Sequence, residues 1–186
     1  MTDREITLAA IRRRGWEIVK LKGTTKKPAG RHWDITTNAD QVAAWLDAGD
    51  NIGLVCHERT GMAVLDPDRL SEWADMIDML GQPSPAWVLT GSGKLHYYVQ
   101  WMPHLPAKLT WRDTIIGEIQ RGPGHQQVVL PPSRHPDTGR PYRWLGSSFQ
   151  GFCEVIDPVS DPLPRLPGLW VAYFSHESYA REHRQR

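Results

Sequence analysis

The 186-residue sequence has few cysteines, little net charge and no long hydrophobic run, and each scarcity excludes a class of protein. Its two cysteines, Cys56 and Cys153, have no metal-ligand spacing, and without a secretion signal they are expected to be unpaired thiols. No stretch of 18 apolar residues occurs, so we expect a soluble, cytoplasmic protein with no membrane partner. A hydrophobic content of 40% excludes a disordered chain, and the length suits one sizeable domain.

The net charge is only +1, but the positive charge is concentrated near the start of the chain. Residues 12–31 carry eight Lys or Arg side chains and one acid, whereas residues 32–186 carry 13 Lys or Arg and 18 acids. A basic edge on an acidic body suits a polyanion that is held in one place. A solvated helix face and loop would explain the same charges equally well.

The spacing of apolar residues predicts helices that alternate with short strands. We expect helices over 4–14, 36–50, 70–80 and 168–186, with Leu70, Trp73, Ile77 and Leu80 on the inward face of the third. Expected strands cover 15–21, 51–56, 62–66, 86–90, 94–101, 114–121 and 126–132, and HERTG (57–61) is expected to join two of them as a hairpin. This pattern predicts an α+β domain with α/β-type alternation and a mixed, mostly antiparallel sheet flanked by helices.

We place one domain over residues 1–157. Residues 158–168 contain four prolines and are interpreted as a linker, so that 158–186 would comprise this linker and a C-terminal helix. The linker and helix are expected to lead into a downstream region of a longer protein.

The segment TGSGKLH (90–96) superficially resembles a nucleotide-binding P-loop, but its spacing does not fit. A P-loop requires a glycine where this chain has Val88, and a Ser or Thr where it has Leu95. The chain instead enters a strand in which His96 follows a turn of small residues. Main-chain N–H groups of that turn could form an anion-binding nest beside His96, although a single His in a strand is more often a packed or surface residue.

Two acids end an apolar strand, because VLDPD (64–68) places Asp66 and Asp68 two residues apart. The period of a strand directs both side chains to one face, where two carboxylates repel each other unless a cation lies between them. A few hard oxygen ligands suit Mg²⁺ or Mn²⁺ that also accepts substrate phosphates. The structural alternative is that Asp66 caps the following helix and Asp68 lies in its first turn.

A third acid, Glu118, lies in the predicted strand TIIGEIQR (114–121). A lone acid in a strand more often faces solvent. A third carboxylate would nevertheless complete a two-metal site, in which one ion activates an attacking oxygen and the other stabilises the leaving group. Further along, LPPSRHPDTGRPYRW (130–144) contains a Pro-Pro-Ser turn, which by itself indicates only the end of a strand.

In this order, the residues resemble the bifunctional primase-polymerase (prim-pol) family of phage and plasmid replication proteins, within the archaeo-eukaryotic primase superfamily. The family's first motif, two acids separated by one residue, is matched by Asp66-Pro67-Asp68; its second, a Ser- and Gly-containing turn running into His, by TGSGKLH; its third, a single acid in a later strand, by Glu118. The flanks GW, KKPAGRHW, NIGLV and VVLPPSRHPDTGRPYRW agree, so the resemblance covers about residues 15–145. Lys94, where the family turn more often has a second glycine, is a small departure.

The resemblance implies an archaeo-eukaryotic primase-like core with one half similar to an RNA-recognition motif. It implies a template-dependent nucleotidyltransferase, a DNA primase and/or DNA polymerase, in which Asp66, Asp68 and Glu118 are catalytic and bind two Mg²⁺ or Mn²⁺ ions. The incoming nucleoside triphosphate would be bound by Ser92, Gly93, Lys94 and His96, and more weakly by Arg121. A 3′-hydroxyl would attack the α-phosphate and release pyrophosphate, a reaction that depends on positioning and charge neutralisation.

The resemblance also implies partners. These are a single-stranded DNA template, a primer and nucleoside triphosphates. A helicase domain or protein is also expected, because the chain has no Walker motif of its own for ATP-driven unwinding. The expected nucleic-acid contacts are Arg12, Arg13, Arg14, Lys22, Lys26, Lys27 and Arg31. Trp33 and Trp111 could stack on bases.

Two other functions stay open at this point. A metal-dependent nuclease would use the same acids without any nucleoside triphosphate. A non-catalytic single-stranded DNA-binding initiator module would need the acid pair only as a helix start.

Overall fold

The computed structural model describes residues 1–30, 33–85, 87–122, 126–145 and 157–184. The helices in these ranges are α1 (Asp3–Arg14), α2 (Ala39–Asp47), α3 (Leu70–Leu80) and α4 (Gly168–Arg184). The strands are β1 (Ile18–Lys20), β2 (Ile35–Thr36), β3 (Ile52–Val55), β4 (Met62–Pro67), β5 (Val88–Leu89), β6 (Leu95–Gln100), β7 (Lys108–Trp111), β8 (Thr114–Gln120), β9 (Gln127–Val129) and β10 (Arg143–Trp144). The predicted α+β class is confirmed. None of the helices in the described ranges has the length and apolar character needed to span a bilayer.

The first two helices begin where the sequence supplies caps. Thr2 and Glu5 form a capping box at the start of α1, and the Asn38 side chain accepts hydrogen bonds from two N–H groups at the start of α2. Each cap satisfies N–H groups that the first helical turn cannot pair internally. The predicted starts of these helices therefore agree with the structure to within a few residues.

The strands form two sheets, with orders β2-β1-β3-β9 and β10-β5-β6-β4-β8-β7. All ladders between these strands are antiparallel. The expected mostly antiparallel pairing is therefore confirmed, and the described ranges contain no parallel pair of strands. β4 lies near the middle of the larger sheet, between β6 and β8. Its first four residues are fully buried, which explains the unbroken apolar run that precedes the two acids.

The predicted hairpin between 51–56 and 62–66 is wrong. β3 pairs with β1 and β9 in the smaller sheet, whereas β4 pairs with β6 and β8 in the larger one. The intervening residues form a 3₁₀ turn over Glu58–Thr60, which His57 caps and which ends at Gly61 with φ of 65°. This left-handed residue carries the chain from one sheet into the other.

The core has two apolar clusters, one associated with each sheet. Trp73, Met76 and Leu80 are the buried side chains of α3. Leu70, which was predicted to face inward, is 53% exposed because it opens the helix one turn before the buried stripe begins. The expectation for that residue is therefore wrong.

The Pro-rich segment and α4 pack against the larger sheet. Trp170 and Phe174 are buried in its cluster, and Trp170 Nε1 donates a hydrogen bond of 2.9 Å to the carbonyl of Gly81. The N–H of Gln100, at the end of β6, donates to the carbonyl of Pro164. The segment predicted as a linker thus contacts the body of the domain, while a domain boundary at 157 stays a prediction.

Replacing Trp170 by Phe is expected to destabilise the protein by about 1–2 kcal/mol, because the Gly81 carbonyl loses a buried donor. Chemical denaturation followed by tryptophan fluorescence or circular dichroism measures the change. Leu169→Ala is the matched control, since Leu169 is an exposed neighbour in the same helix. Equal stability of the Trp170→Phe variant and the wild type would contradict a structural role for α4.

Candidate active site

The acid-bearing end of β4 is positioned by the strands on both sides of it. Asp66 lies directly opposite Glu118 in the antiparallel β4–β8 ladder, so the two side chains share one face of the sheet. On the other side, His96 at the start of β6 places its Nε2 3.5 Å from Asp66 Oδ1. Three residues singled out in separate parts of the sequence therefore lie on three adjacent strands.

Asp68 is held just beyond the end of β4. Its N–H donates to the carbonyl of Ile116 at 2.7 Å, which continues the contact with β8 past Pro67. Helix α3 begins with Arg69 at its N-cap position, and no side chain caps it. The helix-start explanation of the acid pair is therefore wrong, since Asp66 belongs to the strand and neither carboxylate caps α3.

Each of the three carboxylates contacts a basic side chain. Lys94 Nζ lies 2.6 Å from Asp68 Oδ1, Lys108 forms an ion pair with Glu118, and His96 faces Asp66. The lysine side chains are 32% and 45% exposed, so both are long, partly solvated groups that can change rotamer. The two lysines neutralise Asp68 and Glu118, which would otherwise repel each other and Asp66.

The donor set at this edge has the chemistry of a divalent-ion site. Three carboxylates supply the hard oxygen ligands that Mg²⁺ and Mn²⁺ prefer. With the side chains as they stand, the described ranges contain no group of three or more His, Cys, Asp or Glu residues arranged to hold a metal ion. The three carboxylates are nevertheless of the right chemical type, and the strand pairing places Asp66 directly opposite Glu118. To coordinate an ion, Asp68 and Glu118 would have to turn away from their lysine partners.

His96 differs from an ordinary packed histidine. It is 4% exposed, and its Nδ1 is buried with no hydrogen-bond partner among the described residues. Burial is the main cause that lowers the pKa of His96, and the neighbouring Asp66 carboxylate acts in the opposite direction. A buried ring nitrogen without a partner loses its hydration uncompensated, so the site gains if a ligand supplies the missing contact.

The turn over residues 90–94 uses part of its own hydrogen-bonding capacity. The N–H groups of Gly93 and Lys94 donate to the carbonyl and the hydroxyl of Thr90, respectively. The Ser92 hydroxyl lies 2.9 Å from the Thr90 hydroxyl, and Ser92 itself is exposed. Two of the N–H groups that were expected to form an anion-binding nest are therefore already used within the turn. An anion bound here would depend more on the Ser92 hydroxyl and on nearby side chains.

This turn packs against the loop that follows the Pro-Pro-Ser motif. A Cβ on Gly91 would lie 2.4 Å from the carbonyl oxygen of Arg140 and 2.5 Å from Cβ of His135, so only glycine fits there. Thr138 Oγ1 also donates to the Gly91 carbonyl at 2.9 Å. Ser133 is buried in the same motif, and its hydroxyl accepts the N–H of Ile52 at 2.9 Å. The motif therefore holds the 133–142 loop beside the site.

Sequence reasoning missed two residues of that loop, His135 and Tyr142. The His135 ring is nearly parallel to Tyr142, at 25° and 6.1 Å between centroids, and Tyr142 in turn lies 6.1 Å from His96. Burial lowers the pKa of His135, and His135 Nδ1 accepts the N–H of Asp137. The available signal is the flank VVLPPSRHPDTGRPYRW, which supports the family resemblance but by itself assigns no role to His135 or Tyr142.

The predicted nucleic-acid-binding cations occupy two places. Arg12, Arg13 and Arg14 end α1, whereas Lys22, Lys26 and Lys27 lie in the exposed loop after β1. Arg31 lies outside the described residues.

Two of the helix-end arginines have internal contacts. Arg12 pairs with Asp40 at 2.9 Å. Arg14 donates to the carbonyls of Pro158 and Asp161 and lies over the Trp16 ring, 5.6 Å from its centroid. Arg14 therefore connects α1 to the C-terminal segment.

Two weaker expectations change in the structure. Trp111 is 4% exposed and packs in the second core cluster, so the expected base stacking by this residue is wrong. Arg121 follows β8 and lines a cavity of about 340 Å³ with Trp101 and His57. Trp101 donates its N–H to Gly61, at the start of β4, which puts this cavity at the opposite end of β4 from the acids.

The protein is an antiparallel α+β domain whose larger sheet carries three carboxylates close to lysines and a buried histidine. Side chains of these types are suited to binding nucleotide phosphates. The chain belongs to the bifunctional DNA primase/polymerase family, because the family model of the N-terminal domain matches residues 7–168. No curated protein matches the chain.

The family match confirms the resemblance carried by the three motifs. Membership implies a primase/polymerase enzyme of DNA replication, with DNA and nucleotides as its substrates. The matched range also includes the loop over 133–142 and the Pro-rich segment.

Proposed function

We propose that the chain is a template-dependent nucleotidyltransferase that joins nucleoside triphosphates on the face of the larger sheet that carries Asp66 and Glu118. The observation that carries the proposal is the strand register, which places Asp66 beside Glu118 on one neighbouring strand and beside His96 on the other. A helix cap would need no such arrangement. A non-catalytic DNA-binding module therefore has less support than an enzyme.

Asp66, Asp68 and Glu118 would hold two divalent ions, Mg²⁺ or Mn²⁺. When bound, the ions would activate the primer 3′-hydroxyl and neutralise the charge of the triphosphate and of the leaving pyrophosphate. The carboxylates of this chain would leave their lysine partners to do so. Lys94, freed from Asp68, would then be a phosphate ligand close to the same edge.

The turn and β6 would hold the incoming nucleotide. His96 offers a buried nitrogen that has no partner among the described residues, and Ser92 offers an exposed hydroxyl on the same hairpin. Charge-assisted contacts from Lys94, together with these donors, suit phosphate oxygens. Their task is to orient the α-phosphate for in-line attack, a positioning effect that can contribute several orders of magnitude to the rate.

The other partners follow from the charge distribution and the family. Exposed cations at the end of α1 and in the loop after β1 would contact template and primer phosphates, and this binding should weaken steeply with salt. A helicase domain or protein would supply strand separation in phage or plasmid replication.

Primer extension with metal removal tests the proposal. A labelled primer on a single-stranded template should lengthen when deoxynucleotides and Mn²⁺ are present, and should stay unchanged in excess EDTA because the carboxylates then lack their ions. The same substrate without nucleotides is the control. Metal-dependent shortening of the primer in that control, without lengthening in the full reaction, would favour a nuclease and overturn the proposal.

A further inference from the structure

A cavity of about 340 Å³ lies at the end of β4 that is farthest from the acids. Its lining residues come from the 3₁₀ turn and from the ends of β6 and β8: His57, Glu58, Arg59, Trp101, Arg121 and Gly122. Met62 and Asp66 are four positions apart on β4, which corresponds to about 13 Å in an extended strand. The cavity is therefore separate from the carboxylates but belongs to the same sheet.

The walls of this cavity are held by hydrogen bonds. The N–H of Trp101 donates to the Gly61 carbonyl at 2.8 Å, and its indole Nε1 donates to the Arg121 carbonyl at 2.9 Å. Gln126 Oε1 accepts the N–H groups of Arg121, at 2.7 Å, and Gly122, at 2.8 Å. The Trp101 side chain and the Arg121 backbone are therefore in place before a ligand binds, as is usual for small-ligand sites.

The guanidinium group of Arg121 lacks a partner among the described residues. Its Nε is buried and makes no hydrogen bond with them. Burial lowers the pKa of this group, and no charge on the described part of the chain acts in the opposite direction. Arg14, which is also partly buried, instead donates to the carbonyls of Pro158 and Asp161. A buried guanidinium nitrogen without an acceptor is costly, so the site gains if an anion supplies one.

The chemistry of the lining favours an anion that also carries a flat, apolar group. The lining has two guanidinium groups and one carboxylate, that of Glu58. Arg59 is 79% exposed and lies 3.6 Å from Glu17, so it is a second cation at the rim. The indole N–H of Trp101 is already used, so this side chain can offer a ligand only its ring. Arginine binds phosphate oxygens in pairs and nucleic-acid bases stack on tryptophan, so a nucleotide unit suits both groups.

The position of the cavity distinguishes two sources of such a unit. In the proposed function, the incoming nucleoside triphosphate is held at the carboxylates of Asp66 and Glu118. Arg121 lies three positions beyond Glu118 along β8, a separation of about 10 Å in an extended strand. A single-stranded template, in contrast, continues past the reacting end, and DNA is a substrate of the family. The position therefore favours the template over the triphosphate.

We propose that this cavity binds one nucleotide of the single-stranded template, with a phosphate on Arg121 and a base on Trp101. The inference rests on the proposed function and deepens it, since it places part of the template at the opposite end of β4 from the carboxylates. The volume, at the lower end for small-ligand pockets, suits a single nucleotide. A phosphate contact and a stacked base carry little sequence preference, as a template site requires.

Single-stranded DNA binding by Arg121→Gln and Arg112→Gln tests the phosphate contact. Arg112 is the matched control, because it is an exposed arginine in the turn between β7 and β8. Fluorescence anisotropy with a labelled oligonucleotide should show about tenfold weaker binding for Arg121→Gln and a change within about twofold for Arg112→Gln. Arg121→Gln should bind dATP with Mn²⁺ as the wild type does. Urea unfolding should show no loss of stability, since the Nε that is removed has no hydrogen bond with the described residues.

A pair of substitutions at Trp101 tests the stacked base. Trp101→Phe and Trp101→Leu both remove the hydrogen bond to the Arg121 carbonyl, so an aromatic ring is what distinguishes them. Trp101→Phe should bind the oligonucleotide about fivefold more tightly than Trp101→Leu. Equal affinities of the two variants would contradict the assignment of a base to this cavity.

The outcomes separate this inference from the proposed function. Unchanged DNA binding by Arg121→Gln would overturn the inference even if the wild type extends primers, whether or not dATP binding becomes weaker. Equal losses of DNA affinity in Arg121→Gln and Arg112→Gln would also overturn it, because they would indicate a general effect of charge. Weaker DNA binding by Arg121→Gln alone, in a protein that never extends primers, would support the cavity as a DNA site and overturn the polymerase proposal.

Discussion

Glu118→Gln is expected to reduce primer extension by about a thousandfold, whereas Lys108→Ala should leave it within about threefold. Both substitutions remove the same Lys108–Glu118 ion pair. Only the first also removes a carboxylate from the face that carries Asp66. The comparison therefore distinguishes a metal ligand from a surface ion pair.

Stability provides the control for this pair of variants. Both side chains are close to half exposed, and ion pairs of that kind contribute about 0–1 kcal/mol, so neither variant should lose much stability. Single-turnover extension measures the rates, and urea unfolding checks the fold. Equal activities of Glu118→Gln and Lys108→Ala would show that Glu118 is not a ligand.

Gly117→Ala is expected to destabilise the protein by about 3 kcal/mol and to abolish most of its activity. A Cβ at this position would lie 2.3 Å from the carbonyl oxygen of Asp66 and 2.8 Å from Cα of Pro67, both of which are backbone atoms that cannot move alone. To accommodate the methyl group, β8 would have to separate from β4 where the acids are aligned. The substitution thus acts on the catalytic geometry without touching a catalytic side chain.

Gly168→Ala is the matched control for Gly117→Ala. The space around Gly168 is open, and it begins α4, so its replacement should change the free energy of unfolding by less than about 0.5 kcal/mol. Urea unfolding of both variants gives the comparison. A Gly117→Ala variant as stable and as active as Gly168→Ala would contradict the close pairing of β4 and β8.

The chemistry of the site could be predicted from the sequence because the relevant residues end or occupy strongly apolar strands. Asp66, His96 and Glu118 each lie in a segment whose pattern predicts a strand, and the structure aligns them on three neighbours. The sequence does not contain the pairing partners of β4. Local spacing favoured a hairpin with β3, whereas tertiary packing pairs β4 with β6 and β8, which are distant in sequence.

The surroundings of the site could not be predicted, since they depend on contacts between distant loops. Nothing in the sequence around Asn51 indicates that its side-chain amide donates to the carbonyls of Thr25 and Arg134, which lie in two separate loops. His135 has the sequence context of a turn residue. Only the folded arrangement stacks its ring on Tyr142, whose ring centroid lies 6.1 Å from that of His96.

The most direct test of the account is primer extension on a single-stranded template by the wild type and by the Asp66→Ala/Asp68→Ala variant. Deoxynucleotides and Mn²⁺ are supplied, and single-stranded DNA binding is measured in parallel to show that the variant is folded. We expect extension by the wild type, none by the variant, and similar DNA affinities. Equal extension by both proteins, or none by a well-folded wild type, would show that the paired carboxylates of β4 are not the centre of nucleotidyl transfer.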